Sequence, residues 1–412
     1  MLDGILPNIE RYYTDFSMFF KLFNKRTYLD YASSTPLDMR MMRTVPTLDS
    51  ATIGANPHAL HRQGVQARAV IENARKKVAA VLHAHADEVI FTSGATESDN
   101  LALIGTVQHF IKEGIAPHEI AIAISDLEHA AVAETTAALH DDGVFTMTIP
   151  SDQGIIDPKH IMVPDGCKAL LVSIMYVHNE IGTVQPIRDI AKRVRYLRKH
   201  HPDVTIIFHT DATQAPAHFS LNVAQLGVDL MTLGATKLYT HKGVGILYKK
   251  RNITLSPIMY GGGQEFGLRP GTEPIELIHT FAHALEYSQT IQETETDRIK
   301  ELQTYFEEKL VQEIPQVHIT ARDQDRTPHI THIAIKDFDS ELLVIELDAK
   351  GIAVSAKSAC KNEDTNESAI VEKMYGTGYG AIRFSFGRMT TKKDLDRAVS
   401  ALKKVVEKYK NK

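Results

Sequence analysis

Short apolar runs alternate with helically spaced stretches through much of the chain, and that alternation limits the folds open to it. Residues 89–92, 120–124, 170–177, 204–208 and 228–233 are runs of strand length with few polar interruptions. Between them, residues 97–112, 129–139 and 187–200 read as helices. Upstream, residues 61–82 carry Ile71, Ala74, Val78 and Val81 at helical spacing, which predicts an amphipathic helix. Strand, crossover helix and next strand give parallel pairing, and a parallel sheet needs cover on both faces. Residues 243–248 add one more strand.

The pattern changes after about residue 280. Residues 284–314 read as one long charged amphipathic helix, followed by short strands at 330–335, 352–355 and 381–386 and a closing helix over 392–409. This predicts a separate α+β module. The expected division is an N-terminal segment 1–43 packing with the small domain, a large domain 44–283 and a small domain 284–412. The aromatic cluster Phe16, Met18, Phe19, Phe20, Leu22 and Phe23 reads as a helix packed on the body of the protein, with a membrane-surface helix as the alternative. Ligands of open α/β sheets bind beyond the carboxyl ends of the strands. A second module beside that edge makes a cleft, and chemistry is expected there.

Composition removes several classes. The 412 residues are 43% hydrophobic and 24% charged, as in globular proteins, which excludes disordered and fibrous chains. Forty-six basic and 51 acidic residues give a net charge of −5, with no electrostatic basis for binding nucleic acid or an anionic membrane. No run approaches the roughly 20 apolar residues of a bilayer span. The start lacks the basic residues and unbroken apolar run of a secretory signal. Two cysteines, Cys167 and Cys360, cannot build a disulfide framework and fit a reducing compartment. The expected location is the cytoplasm.

Gly-x-x-x-x-Gly-Lys, Gly-x-Gly-x-x-Gly after a strand, His-Glu-x-x-His and Cys-x-x-Cys are absent. The pairs His83/His85 and His200/His201 read as surface histidines, and no metal site is expected. What remains is polar residues just after strands. Ser93-Gly94-Ala95-Thr96-Glu97 opens a helix, where small residues leave N–H groups facing outward to suit a phosphate. An ordinary N-cap by Ser93 is the alternative. Asp211 and Gln214 follow the run 204–208, where an acid also serves as a helix cap. Gly234-Ala235-Thr236-Lys237 follows 228–233 and is placed like an imine-forming lysine, or else a solvated loop lysine. Together, an anion cup, a carboxylate and a lysine at strand ends are what pyridoxal 5'-phosphate requires: an amine, an acid beside the ring nitrogen and a phosphate site.

The chain resembles the class V aminotransferases, and within them the cysteine desulfurases of the NifS/IscS-like group. The resemblance runs from Tyr28-Leu29-Asp30-Tyr31-Ala32 to the closing helix. It is carried by Phe91-Thr92-Ser93-Gly94-Ala95-Thr96-Glu97-Ser98-Asp99-Asn100, Asn179-Glu180-Ile181-Gly182, Asp211-Ala212-Thr213-Gln214, Gly261-Gly262-Gly263-Gln264-Glu265 and Ile382-Arg383-Phe384-Ser385. It implies the pyridoxal-phosphate-dependent transferase fold, an α/β class with a mostly parallel seven-stranded sheet in the large domain and a smaller α+β C-terminal domain.

The resemblance also implies roles. Lys237 would hold the cofactor covalently, Asp211 would pair with the ring nitrogen, and Gln214 would bond the phenolic oxygen. His129 would stack on the ring and shuttle protons, a task suited to histidine. Ala95, Thr96, Gly234 and Thr236 would hold the phosphate, and Thr272 would reach the phosphate of a partner subunit in a homodimer. Asn179, which would also contact the cofactor, and Arg383 would grip the substrate α-carboxylate, Arg383 as a two-pronged fork. Cys360, in Val354-Ser355-Ala356-Lys357-Ser358-Ala359-Cys360, would be the nucleophile, with Lys357 and Lys361 favouring its thiolate. L-cysteine would give up its sulfur to Cys360 as a persulfide, leaving L-alanine. The sulfur would pass to acceptor proteins for iron–sulfur cluster assembly or tRNA thiolation.

Three positions depart from the family pattern. Gly234-Ala235-Thr236 stands where Ser-Gly-His is usual, Lys357 where glycine is usual, and Pro270 where serine is usual. The first departure implies a phosphate cup short of one or two charge-assisted bonds. Alternatives are another enzyme on this fold, such as a selenocysteine lyase, cysteine lyase or aminotransferase, and a non-catalytic docking partner in sulfur transfer.

Overall fold

The structure, a computed structural model, describes residues 26–356 and 369–410. Its central sheet has seven strands: β1 (Val89–Thr92), β2 (Ile120–Ser125), β3 (Phe145–Ile149), β4 (Ala169–Ser173), β5 (Thr205–Asp211), β6 (Leu230–Gly234) and β7 (Gly245–Lys249). Their spatial order is β1-β7-β6-β5-β4-β2-β3. Strand β7 runs antiparallel to β1 and β6, and the other adjacent pairs are parallel. Every residue of β1, β2, β4 and β6 is buried, because helices cover both faces. Strand β3 is different. It is an edge strand, Phe-Thr-Met-Thr-Ile, largely open to solvent, and a search for continuous apolar runs does not find it.

Helices α1 (Arg62–Leu82), α2 (Ala95–Lys112), α3 (Ala130–Asp141) and α4 (Ile187–His200) lie close to their expected bounds. The ring of His61 caps α1 by accepting from the Gly64 N–H at 3.2 Å, and His83 ends it in a left-handed turn at φ 54°. The single helix expected over 284–314 is two helices, α5 (Ile275–Thr290) and α6 (Gln292–Glu313), hinged at Ile291. The reason lies in packing. Phe281, Ala282, Ala284 and Leu285 bury in the core of the large sheet, whereas Ile299, Leu302, Phe306 and Leu310 bury in a second core. One straight helix cannot serve both.

The second core belongs to an antiparallel sheet of β8 (Val317–Ile319), β9 (Ile330–Lys336) and β10 (Tyr379–Ser385). The ring of Phe306 packs edge-on against Phe384 and Phe386, with centroids 5.0 and 5.4 Å apart. The segment from Thr27 to Asp38 touches both bodies. Thr27–Tyr28 pairs with Ile352–Ala353 on the small side. On the large side, Thr35 N donates to Thr236 O and Asp38 N to Tyr239 O, both at 3.0 Å. The aromatic cluster at 16–23 lies outside the described residues.

Candidate active site

The carboxyl ends of the central strands converge. After β1 come Ser93 to Thr96; after β2, Glu128 and His129; after β4, Met175 to Asn179. Strand β5 ends on Asp211, and β6 leads through Gly234 to Lys237. Arg383 enters from β10 of the small module. Ser93 to Thr96, His129, Met175, Asn179, Asp211, Lys237 and Arg383 are among the residues that line a cavity of about 370 Å³ there. Of the residues expected from sequence, Ala95, Thr96, His129, Asn179, Asp211, Gln214, Thr236, Lys237 and Arg383 line it, with Asp99 and Ser33 added. Gly234 and Thr272 do not. Gly234 is buried, with Ala95 directly against it, and Thr272 is exposed on a surface turn. Cys360 lies outside the described residues. The chain approaches it from Ser355, whose carbonyl accepts from Arg383 N at 2.7 Å.

Helix α2 begins without a side-chain cap. Gly94 occupies the cap position, so capping by Ser93 is not what the chain does. The Ser93 N–H is taken instead by Glu97 Oε2 at 2.8 Å. The first-turn N–H groups therefore face the cavity as a ready anion site. Strand β7 passes close beneath, and a Cβ at Gly245 would stand 2.7 Å from the Gly94 carbonyl carbon, so glycine alone fits. Arg269 Nε donates to Glu97 Oε1 at 3.0 Å, tying the turn that carries Thr272 to this helix end.

Lys237 sits in a single 3₁₀ turn after β6, half-buried, and its ammonium donates to the Ser33 carbonyl. The Ser33 hydroxyl in turn meets Arg383. Arg383 is buried, with Nη1 on the Asn179 carbonyl at 2.7 Å and Nη2 on Asp30 Oδ1 at 2.8 Å. The N-terminal segment thus contacts both the amine and the guanidinium of the site.

Three buried carboxyl groups belong to this region: Asp99 and Asp211 line the cavity, and Glu128 precedes the lining residue His129. Asp211 is buried and accepts from Thr213 N at 2.8 Å. Glu128 Oε1 accepts from the Ser125 hydroxyl and from Met175 N at 2.8 Å, which ties the His129 turn to the strand-end segments. Burial pushes the Glu128 carboxyl up to about 8, with the Asp211 charge adding and the Ser125 and Met175 bonds opposing. Asp99 is held well above the usual range by burial and by Asp211, against a stabilising contact from Thr232. Two of the three therefore favour their neutral forms. Burial likewise lowers His209 to about 3, so a neutral imidazole spans Ser173 Oγ (2.8 Å) and Thr232 Oγ1 (3.1 Å) under the site.

His129 caps α3, with Nδ1 accepting from Ala131 N at 3.1 Å, which leaves Nε2 for other work. Gln214 donates from Nε2 to the Ala32 carbonyl at 2.8 Å, and its Oε1 meets His329 Nε2 at 3.3 Å. His329 stacks on His218 with centroids 4.8 Å apart. Burial, reinforced by His218, Arg383 and Lys237, holds His329 far below the ordinary histidine range. Sequence reasoning missed Asp30, Ser33 and His329 because tertiary contacts alone bring them to the site.

The chain matches the class-V aminotransferase family over residues 27–398. It is 34% identical to the cysteine desulfurase IscS of Dictyoglomus turgidum over 390 residues, covering 94% of this chain and 96% of that one. Among solved structures, a NifS-like protein superposes with a TM-score of 0.81 at 27% identity, covering 93% of this chain and all of the other. The SspA protein in complex with cysteine gives 0.73 at 28% identity, covering 87% and 98%. The extent of the family match and of these likenesses places this chain in the class-V aminotransferase family.

Proposed function

We propose that the protein is a cysteine desulfurase: it takes sulfur from L-cysteine, releases L-alanine and holds the sulfur as a persulfide on Cys360. The observation that carries this reading is the meeting of Lys237, Asp211, Gln214, His129 and Arg383 in one cavity at the strand ends. The family is pyridoxal phosphate-dependent, and the donor set suits that group: a primary amine, a buried carboxylate and an uncapped helix N-terminus. Lys237 would hold it covalently, Asp211 would face its ring nitrogen, and Gln214 its phenolic oxygen. Thr96, Thr236 and the N–H groups of Ala95 and Thr96 would hold its phosphate. Bound there, the cofactor supplies an electron sink for charge developing at the substrate Cα.

The remaining work falls to the chain itself. Arg383 and Asn179 bind and orient the α-carboxylate. Lys237 and His129 Nε2 are the groups placed to move the Cα proton. The Cys360 thiolate attacks the substrate sulfur. An S–S bond forms, the substrate C–S bond breaks, and the proton balance leaves L-alanine and a Cys360 persulfide. That sulfur then goes to an acceptor protein, for iron–sulfur cluster assembly or tRNA thiolation.

The working unit in this reading is a homodimer. Tyr260 and Phe266 are 79% and 58% exposed on the segment leading to Thr272, an apolar surface suited to a second copy. In this reading the N-terminal segment is 1–43, and the change from the large to the small module falls at Ile291 in place of 283/284. A cytoplasmic location is part of the same reading, and no described helix is long and apolar enough to cross a membrane. The test is to supply L-cysteine and a reductant and measure alanine and sulfide together. Equal amounts of both support desulfuration; pyruvate and ammonia in place of alanine would point to a lyase.

A further inference from the structure

Arg383 is the most heavily engaged polar group of the cavity. Its Nη2 donates to Asp30 Oδ1 at 2.8 Å and to the Ser33 hydroxyl. Ser33 Oγ also bonds Asp30 Oδ1 at 2.8 Å, closing a three-membered polar ring. Nη1 gives one hydrogen to the Asn179 carbonyl. Nε is buried with no hydrogen-bond partner. A carboxylate gripped by two parallel bonds approaches a guanidinium either end-on, through Nη1 and Nη2, or side-on, through Nε and Nη2. Both routes pass through Nη2, the nitrogen already filled by Asp30 and Ser33. The spare Nε lies on the side-on edge, and a buried donor without a partner is costly unless a ligand uses it.

We propose that Asp30 is an internal stand-in for the substrate carboxylate, and that Asp30 with Ser33 sets how strongly Arg383 takes an amino acid. The proposal rests on the reading of L-cysteine as substrate. The backbone holds Asp30 in place. Asp30 forms a parallel bridge with Ser385, Ser385 N donates to Leu29 O at 2.8 Å, and Ala32 N donates to Ser385 Oγ at 2.9 Å. These bonds hold the Asp30 backbone beside Arg383. The incoming carboxylate takes Nε and must displace one partner from Nη2, next to a like charge. Asp30 and Ser33 are positioning residues: they keep the guanidinium in register and make the site selective by opposing weak anions. Because the Ser33 carbonyl also accepts from Lys237 Nζ, carboxylate entry and lysine position are adjusted at one residue.

The test uses cofactor-loaded protein and two thiols without an amine, 3-mercaptopropionate and its amide, with binding read by calorimetry. Asp30→Asn keeps an oxygen for Nη2 and removes the charge. It should tighten the acid about tenfold, equivalent to about 1.4 kcal/mol, and leave the amide within about twofold. KM for L-cysteine should fall in parallel. Ser33→Ala, which frees one Nη2 hydrogen and keeps the charge, should tighten the acid by roughly threefold, and it decides the matter alone if Asp30→Asn does not fold. Unchanged or weaker acid binding, or acid and amide shifting together, overturns the proposal. Wild type that releases no alanine from L-cysteine would remove the substrate reading and leave the acid–amide comparison intact.

Discussion

Gln214 and His329, far apart in sequence, meet at 3.3 Å between Oε1 and Nε2. Burial keeps the imidazole neutral, and the contact sets the direction of the Gln214 amide, whose nitrogen reaches Ala32 O. With Oε1 committed to His329 and one hydrogen to Ala32, the second Nε2 hydrogen is the one left for a ligand in the cavity. His329→Ala should free the amide to turn over and weaken cofactor retention by about three- to tenfold, the scale of one ordinary hydrogen bond. Equilibrium dialysis measures this. Retention equal to wild type would separate His329 from the site.

Glu128 makes a prediction about pH. Its carboxyl in the folded protein is raised to about 8, above the unfolded value near 4.5, so folding favours the protonated form. That stability is present at low pH and is lost as pH rises through about 8. Glu128→Gln keeps an acceptor for Ser125 and Met175 and cannot ionise. Relative to wild type, the variant should gain on the order of 3–4 kcal/mol between pH 5 and pH 8. Denaturant unfolding at the two pH values checks this; a difference that does not grow with pH would contradict it.

The segment before the lysine gives a contrast between neighbours. Thr236 lines the cavity, and Thr236→His should add a donor to the phosphate and improve cofactor retention by up to about tenfold. Gly234→Ser should not follow. A Cβ there would lie 3.1 Å from Ala95 Cβ and 3.3 Å from Ala95 N, so the added side chain crowds the helix start before it serves as a donor. Comparing dialysis of the two variants decides it, and equal gains would mean that Ala95 yields freely.

Much of this was legible in the sequence, for reasons that can be named. Strands buried on both faces, such as Ile120–Ser125 and Leu230–Gly234, write themselves as apolar runs, and the residues after them fall at the sheet's carboxyl edge. That is why Lys237, Asp211 and Thr96 could be found. The edge strand Phe145–Ile149 leaves no such run. The bend at Ile291 is set by which core each helix joins, and periodicity does not carry that information. Asp30, Ser33 and His329 look ordinary in sequence because their importance comes from partners on distant segments.

Lys237→Ala should abolish turnover and remove the visible band of lysine-bound cofactor. Among the described lysines, Lys237 is the one that follows β6 and lines the cavity. Normal sulfur release by this variant would contradict the assignment of the amine.

In the proposed reaction, sulfur from L-cysteine comes to rest on Cys360. Cys167 is a poor rival: it is half-buried, its thiol donates to Ala169 O at 3.0 Å, and burial pushes its pKa up. The most direct measurement is peptide mass spectrometry after a single turnover with L-cysteine, without reductant, on wild type and Cys360→Ser. The expected result is one added sulfur on the Cys360 peptide with one alanine released per subunit, and no persulfide in the variant. A persulfide on Cys167, or alanine released at the normal rate by Cys360→Ser, would contradict it.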